Sequence, residues 1–382
     1  MGNRGVGMTR RDFLLGGTLF GLFAGCETSG KCGASYSVAV LGDLHFDSPD
    51  PKRYHADYTH STTEKRYKAH CSEHVRNAEM WTARMPSLVR ASAACVRDDT
   101  AFVFQMGDLI QGDCGKASTH RKMLDDAFAF LKGTYGERLP IAIVTGNHDI
   151  RGDVVGDGAR ETLDDWMTRC VEQEFGVRET GGTFLLRHGP DAYLVVDFNE
   201  PRPDFALLKK LLAESEDARY TFIVSHGPVI PSGESTWFLY GRNGKTAQRR
   251  ELRALLARRN AIALSGHTHL LEYYDCAFPE GRITQFVFNS VWAKPKWANP
   301  KFPSGGAENY GASKGKGERH GAVRPDELQQ LIDEYKPFVR DALCCRTAGH
   351  YRLEVSDNRV AVVFYNGDAT KPIRTFTLRG KA

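Results

Sequence analysis

Nowhere in the 382 residues does an internal apolar run reach the roughly 18 to 20 residues that a membrane span needs. The nine cysteines include no C-x-x-C pair, which argues against a structural zinc cluster. Excess charge of one sign is also scarce. The formal net charge of +4 is too small to mark a nucleic-acid surface, where basic residues concentrate on a stripe. No internal repeat is apparent. With 41% apolar and 26% charged residues, the composition is that of an ordinary globular chain, which excludes disorder, collagen and coiled coil as the main theme. What is plentiful is glycine, 38 residues, which with 16 prolines predicts many loops. Length alone allows two or three domains.

The N-terminus reads as an address. A basic start, a short apolar centre from Leu14 to Ala24 and small residues at its end make the pattern of a signal peptide. Thr9-Arg10-Arg11-Asp12-Phe13-Leu14 resembles a twin-arginine export signal. Leu22-Phe23-Ala24-Gly25-Cys26 resembles a bacterial lipoprotein processing site, with Phe23 where such sites usually carry Leu. Residues 1–25 are therefore expected to be a signal peptide and residues 26–35 a tether. The protein is expected in the periplasm or at the cell surface, with Cys26 as its lipid anchor and only membrane contact. Cleavage without lipidation, or a plain anchor helix, is the alternative. Losing three Arg and one Asp with residues 1–25 would take the net charge from +4 to +2. Outside the cytoplasm the remaining cysteines could pair or stay as free buried thiols, and their spacing does not choose.

After the tether, short apolar runs alternate with helical periodicity. Ser37–Leu41, Ala101–Met106, Ile141–Thr145, Tyr193–Asp197, Thr221–Ser225 and Ala261–Ser265 read as buried strands. Between them, Met123, Leu124, Ala127, Phe128 and Leu131 share one helical face, as do Leu163, Trp166, Met167, Cys170 and Val171. A helix through Phe205, Leu208, Leu211 and Leu212 has Asp204 as its predicted N-cap. This alternation predicts an α/β fold. His188-Gly189-Pro190-Asp191 reads as a hairpin turn, and the tail reads as a β-meander expected to extend a second sheet. Leu328, Leu331, Ile332, Tyr335 and Val339 predict one more helix. Two polar stretches, 46–82 and 293–323, fit neither period and read as long loops, the first a lid insertion and the second a cap.

Five apolar runs end alike, in a small residue followed by metal-ligand chemistry. They are Gly42-Asp43-Leu44-His45, Gly107-Asp108, Gly146-Asn147-His148-Asp149, Ser225-His226-Gly227 and Gly266-His267-Thr268-His269. Ligands of open α/β sheets gather beyond the C-terminal ends of strands, so the five sites should converge. In Asp43-x-His45 and His267-x-His269 the i, i+2 spacing turns both side chains to one side of an extended backbone. Two carboxylates, an amide and four or five imidazoles without thiolate suit Mn, Fe, Zn, Co or Ni. The set is too large for one ion and sufficient for two.

The order D-x-H, G-D, G-N-H-[DE], H, G-H-x-H, spread over residues 36–270, resembles the calcineurin-like metallophosphoesterase family. The resemblance implies a four-layer αββα fold, a double β-sandwich flanked by helices. It implies one domain over 36–382 with C-terminal strands within 349–379. It also implies roles. Asp43, His45, Asp108 and His269 would hold one metal. Asp108, Asn147, His226 and His267 would hold the other, with Asp108 bridging. His148 would donate to the phosphate or the leaving oxygen, oriented by Asp149. The cofactor would be two divalent transition ions, Mn, Fe or Zn. Purple acid phosphatases carry Tyr where Gln111 stands, and protein Ser/Thr phosphatases carry Asp-Arg-Gly where this chain has Leu109-Ile110-Gln111. The remaining likeness is to the broad phosphodiesterase-like group.

Other residues carry weaker expectations. Arg151 would reach a phosphate oxygen, or else form a surface ion pair. His74 and Asn77 would belong to the lid, anchored by Trp81, and His55, His60 and His70 would line its mouth or simply sit on the surface. Asp113 would be a third carboxylate or a turn residue. Trp237 and Tyr240 would stack a base or sugar, or pack in the core. The expected activity is hydrolysis of small phosphodiesters or diphosphates, of nucleotides or head groups. A phosphomonoesterase is the alternative, and a non-catalytic metal-containing scaffold is the alternative of another class. No basic-aromatic groove for nucleic acid is readable.

Overall fold

The computed structural model describes residues 35–58, 64–151, 158–178, 181–199, 202–232, 237–241, 244–311 and 325–380. The signal-like segment, Cys26, nearly all of the tether, His60 and the side chain of His70 lie outside the described residues.

Two mixed sheets face each other. The first contains β1 (Tyr36–Leu41), β2 (Thr100–Gln105), β3 (Ile141–Ile143), β11 (Gly349–Val355), β12 (Val360–Asn366) and β13 (Pro372–Arg379), in the order β13-β12-β11-β1-β2-β3. The second contains β4 (Phe184–His188), β5 (Asp191–Val196), β6 (Thr221–Ser225), β7 (Ile262–Ser265), β8 (Leu271–Phe278), β9 (Gly281–Val287) and β10 (Val339–Cys345), in the order β10-β8-β9-β7-β6-β5-β4. β1, β2 and β3 run parallel, as do β5, β6, β7 and β9. The ligand-bearing ends of these strands therefore emerge on one side of each sheet.

The continuous apolar runs are explained by burial on both faces. On β5, Tyr193 and Val195 join the core between the sheets, while Leu194 and Val196 join the core under the outer helices. Phe222 and Val224 against Ile223 repeat this on β6, and Ile262 and Leu264 against Ala263 on β7. Leu208 and Leu212 of α5 (Phe205–Glu214), Leu252 and Leu256 of α6 (Thr246–Arg258), and Leu331 and Ile332 of α7 (Pro325–Tyr335) close that second core. Over the first sheet lie α2 (Met85–Ala94), α3 (Ala117–Tyr135) and α4 (Ala159–Phe175), through Leu88, Met123, Leu124, Leu163 and Trp166. This is the four-layer αββα arrangement. Asp204 caps α5 as its sequence predicts, accepting from the amides of Ala206 and Leu207.

Two expectations need correction. The tail meander does not extend the second sheet. β11 pairs antiparallel with β1, Tyr36 opposite Val355, and so completes the first sheet. Nor is 46–82 one long loop, because α1 (Glu64–Ala83) occupies its second half. The described residues it buries are His74, Asn77, Met80 and Trp81, so half of its inward face is polar and the apolar period is hidden. Trp81 Nε1 donates to the carbonyls of Leu44 and His45 at 3.1 and 2.9 Å, which ties α1 to the loop after β1. Among the described residues Cys71, Cys95, Cys170, Cys276 and Cys345 are free thiols.

Candidate metal centre

The ligand loops are zipped together by their own backbones. The amides of Leu44 and His45 both donate to the Asp108 carbonyl, at 3.0 and 2.8 Å, and Phe46 donates to Leu109 at 2.8 Å. His148 N donates to Asp108 Oδ1 at 2.8 Å, and His267 N donates to Asp43 Oδ1 at 3.0 Å. Each loop thus fixes the carboxylate of another. Four of the residues involved, His45, Asp108, His267 and His269, hold positive φ angles of 45°, 50°, 75° and 55°. L-residues reach that region at a cost of order 1 to 3 kcal/mol each, which the surrounding bonds must offset.

Two groups of donors result. Asp43, His45, Asp108 and His269 form one, and Asp108, His226 and His267 the other, with the ligand atoms of each within 4.8 Å of one another. His45 Nε2 lies 3.0 Å from His269 Nε2, and His267 Nδ1 lies 3.2 Å from His226 Nε2. Asp43 Oδ2 is 3.1 Å from His269 Nε2, and Asp108 Oδ2 is 3.2 Å from His226 Nε2. Lone pairs brought this close call for a positive charge between them. Asn147 Oδ1 is buried with no hydrogen-bond partner among the described residues. An orphaned carbonyl oxygen beside clustered carboxylates and imidazoles fits a pair of divalent ions.

Titration behaviour follows the same charges. Burial pulls His226 down, but Asp108 and Asp43 outweigh it and push its pKa up to about 10. A proton there serves where a cation would. His267 is pushed down to about 3 by burial and then by His226. Burial opposes ionisation of Asp108, yet His226, His148 and His45 hold its carboxyl well below the usual range.

His148 and Arg151 stand beside the ligands. His148 packs edge-on against His45, centroids 4.5 Å apart, and its Nδ1 lies 3.0 Å from the Gln111 carbonyl. Asp149 does not orient it. The Asp149 carboxylate accepts from the amides of Ile110 and Gly146, at 3.0 and 2.8 Å, and braces two ligand loops instead. Arg151 does not form a surface pair but a part-buried one. Its Nη2 bridges Asp113 Oδ2 at 2.8 Å and Glu73 Oε2 at 3.1 Å. Glu73 was not singled out in the sequence. Its signal is the i, i+4 pair with Asn77 on α1, since both reach Gln111, through its Nε2 at 3.0 Å and its Oε1 at 2.5 Å.

The remaining expected residues separate. His74 and Asn77 are buried behind the site, His74 on Asp47 and Asn77 on Gln111. Trp237 is half-buried and meets the His267 ring at 6.3 Å, so it stands at the edge of the centre. Tyr240 is spent on anchoring, with its hydroxyl donating to the Pro203 carbonyl and its ring edge-on to Phe205.

A family model for the calcineurin-like phosphoesterase matches residues 36–271. No curated protein sequence matches the chain. Among solved structures, it is similar to a purple acid phosphatase, PPD1, from yellow lupin at 13% identity and a TM-score of 0.50. That likeness covers 91% of this chain and 54% of the lupin enzyme, so the chain spans about half the length of that relative. PhoD is similar at 11% identity and a TM-score of 0.50, over 90% of this chain and 68% of that one. A dimetal phosphatase from Danio rerio reaches a TM-score of 0.48 at 11% identity, over 91% and 99% of the two chains. The first two likenesses show the fold.

Proposed function

We infer a hydrolytic function from one premise: the chain belongs to the calcineurin-like phosphoesterase family. It cleaves phosphoesters at a dinuclear centre, and its substrates are phosphodiesters or diphosphates of small molecules such as nucleotides or head groups. The observation that carries this reading is the sharing of Asp108 between two donor groups. A shared carboxylate lowers the repulsion between two cations held side by side. When bound, two divalent ions supply charge to the attacking and leaving oxygens and lower the pKa of water.

The chain's own residues do the rest. Asp43, His45, Asp108, Asn147, His226, His267 and His269 hold the ions, and His148 faces the substrate. Arg151 lies against His148 with Arg76 close by, and Asp113 and Glu73 already match these two charges. A monoester dianion asks for more uncompensated positive charge than a diester monoanion, and this arrangement favours the diester. The signal-like N-terminus supports action outside the cytoplasm, with lipid attachment at Cys26. The test is turnover of bis(p-nitrophenyl) phosphate against p-nitrophenyl phosphate, on protein loaded in turn with Mn, Zn and Fe. Faster diester cleavage is expected. Faster monoester cleavage would transfer the assignment to a phosphatase, and silence on both with two ions bound would favour a scaffold.

A further inference from the structure

A second cluster of metal-ligand side chains lies beside the first and has no place in the hydrolytic reading. Asp47 stands on the loop after β1, His55 follows the short 3-10 turn Pro51–Arg53, and His74 is on α1. His55 Nε2 lies 3.0 Å from Asp47 Oδ1, and His74 Nδ1 lies 3.0 Å from Asp47 Oδ2. The two rings meet edge to face, centroids 4.7 Å apart. The Asp47 carboxylate is fully buried, and the His55 and His74 side chains are 5% and 11% exposed. One donor atom from each of the three lies within 4.8 Å of the others.

The surroundings of His55 decide what the cluster is for. Its Nδ1 lies 3.2 Å from the Asp113 carbonyl oxygen, while its Nε2 faces the Asp47 carboxylate. Both neighbours are acceptors, and a neutral imidazole has one N–H. With that proton given to the carbonyl, the Nε2 lone pair points at a carboxylate oxygen. The contact then needs a positive charge at Nε2. His226 repeats the pattern inside the dinuclear centre, with Nδ1 2.7 Å from the Met106 carbonyl and Nε2 3.2 Å from Asp108 Oδ2. A backbone carbonyl on one ring nitrogen fixes the tautomer in which the other nitrogen can present its lone pair to an ion. Each carboxylate also sits between two imidazoles, Asp47 between His55 and His74, Asp108 between His45 and His226.

We propose that Asp47, His55 and His74 form a third metal site, distinct from the dinuclear centre and taking one divalent ion. Two imidazoles and one carboxylate, without thiolate, suit Zn or Fe(II), with water completing the coordination. The three ligands come from three chain segments, so the ion clamps α1 against the loop after β1. Glu73 and Asn77 on α1 grip Arg151 and Gln111, so this clamp sets the wall behind His148. The proposal stands apart from the hydrolytic reading, and its test reads metal rather than turnover.

The test is zinc content of the full chain at stoichiometric loading, by mass spectrometry of the metal, together with anomalous diffraction at the zinc edge. Three zinc ions per chain are expected, with one anomalous peak among Asp47, His55 and His74. Asp47→Asn and His74→Gln should each lose one equivalent and keep two. Asp108→Ala should empty the dinuclear centre and keep one, which separates failure of this site from failure of the other. A wild-type crystal without that peak overturns the proposal and leaves His55 as an imidazolium paired with Asp47. A third equivalent that survives both Asp47→Asn and His74→Gln overturns it equally. If a variant fails to fold, the wild-type peak decides alone.

Discussion

Arg151 Nη1 lies 2.9 Å from Nε2 of His148 and 3.1 Å from its Nδ1, so a guanidinium sits against both ring nitrogens. A guanidinium only donates, and the Gln111 carbonyl at Nδ1 only accepts. The tautomer consistent with that carbonyl carries its proton on Nδ1 and leaves Nε2 unprotonated beside Arg151. Burial, and then the Arg151 charge, push the His148 pKa down, which agrees with a neutral ring. Substrate must therefore displace Arg151 from Nε2 or share it. His148→Ala is expected to keep metal and lower the rate by roughly 10²- to 10⁴-fold, the range for a lost proton-transfer group. Arg151→Lys keeps the charge but cannot reach His148, Glu73 and Asp113 together, and a smaller loss of about tenfold is expected. Steady-state rates with metal content measured on the same samples check both. A wild-type rate in Arg151→Lys would detach the guanidinium from the work of His148.

Asp108→Ala should release metal and abolish turnover. The side chain joins both donor groups, and its removal leaves His45 and His226 facing no shared carboxylate. Metal analysis after desalting reads the result directly. Retention of two ions at the dinuclear centre would show that Asp108 does not bridge them.

Gly146→Ala should disturb the same carboxylate without replacing a ligand. A Cβ at this position would fall on the amide nitrogen and Oδ1 of Asp108. Backbone cannot yield as a flexible side chain can, so the ligand loops must part. Weaker metal affinity is expected, with the fold kept, and a zinc titration against a chromogenic chelator measures it. Unchanged affinity would mean that the loop shifts freely, contrary to its hydrogen bonds.

The donor clusters were legible because each donor depends on a few neighbours: an apolar run, a small residue to turn on, then the donor itself. Asp204 as a cap and the hairpin at His188-Gly189-Pro190-Asp191 were legible for the same local reason. What failed was non-local. Tyr36 pairs with Val355 across nearly the whole chain, so nothing near the tail says which sheet it joins. α1 turns His74 and Asn77 inward, and polar residues that bury hydrogen bonds look the same in sequence as residues that face water. The assignment of Asp149 to His148 assumed that neighbours in sequence serve one another, whereas Asp149 serves Ile110 and Gly146.

Trp237 borders the His267 ring, on the side of the second donor group. An aromatic wall there would bind the leaving group of an aryl or nucleoside diester equally in ground and transition states. Trp237→Ala is then expected to raise KM several-fold with kcat nearly unchanged, as uniform binding requires. Parallel kinetics on bis(p-nitrophenyl) phosphate and a dialkyl phosphate check this, since only the aryl substrate should lose affinity. Equal loss on both would assign Trp237 to loop packing.

Far from the ligands in sequence, His350 makes stability depend on pH. Its ring stacks on Tyr365, centroids 4.8 Å apart and planes 7° apart, and its Nε2 lies 3.0 Å from the Ala369 carbonyl. Burial pushes its pKa down to about 4, against weaker upward pulls from the Ala369 carbonyl and Asp368. In the unfolded chain the ring titrates near 6.5. Between these values the unfolded state binds a proton that the folded state refuses. The favourable difference is therefore whole above pH 6.5 and is lost as pH falls toward 4. From pH 7 to pH 5 the loss is about 2 kcal/mol for this one group. His350→Phe keeps an aromatic ring for Tyr365 and cannot titrate. The variant is expected to be less stable at pH 7, because the Ala369 carbonyl loses its donor, yet to lose about 2 kcal/mol less than wild type on going to pH 5. Urea melts of both proteins at the two pH values, with metal content held equal, measure the difference in slope. Equal losses would mean that His350 takes its proton inside the fold, and that the stack on Tyr365 opens to let it.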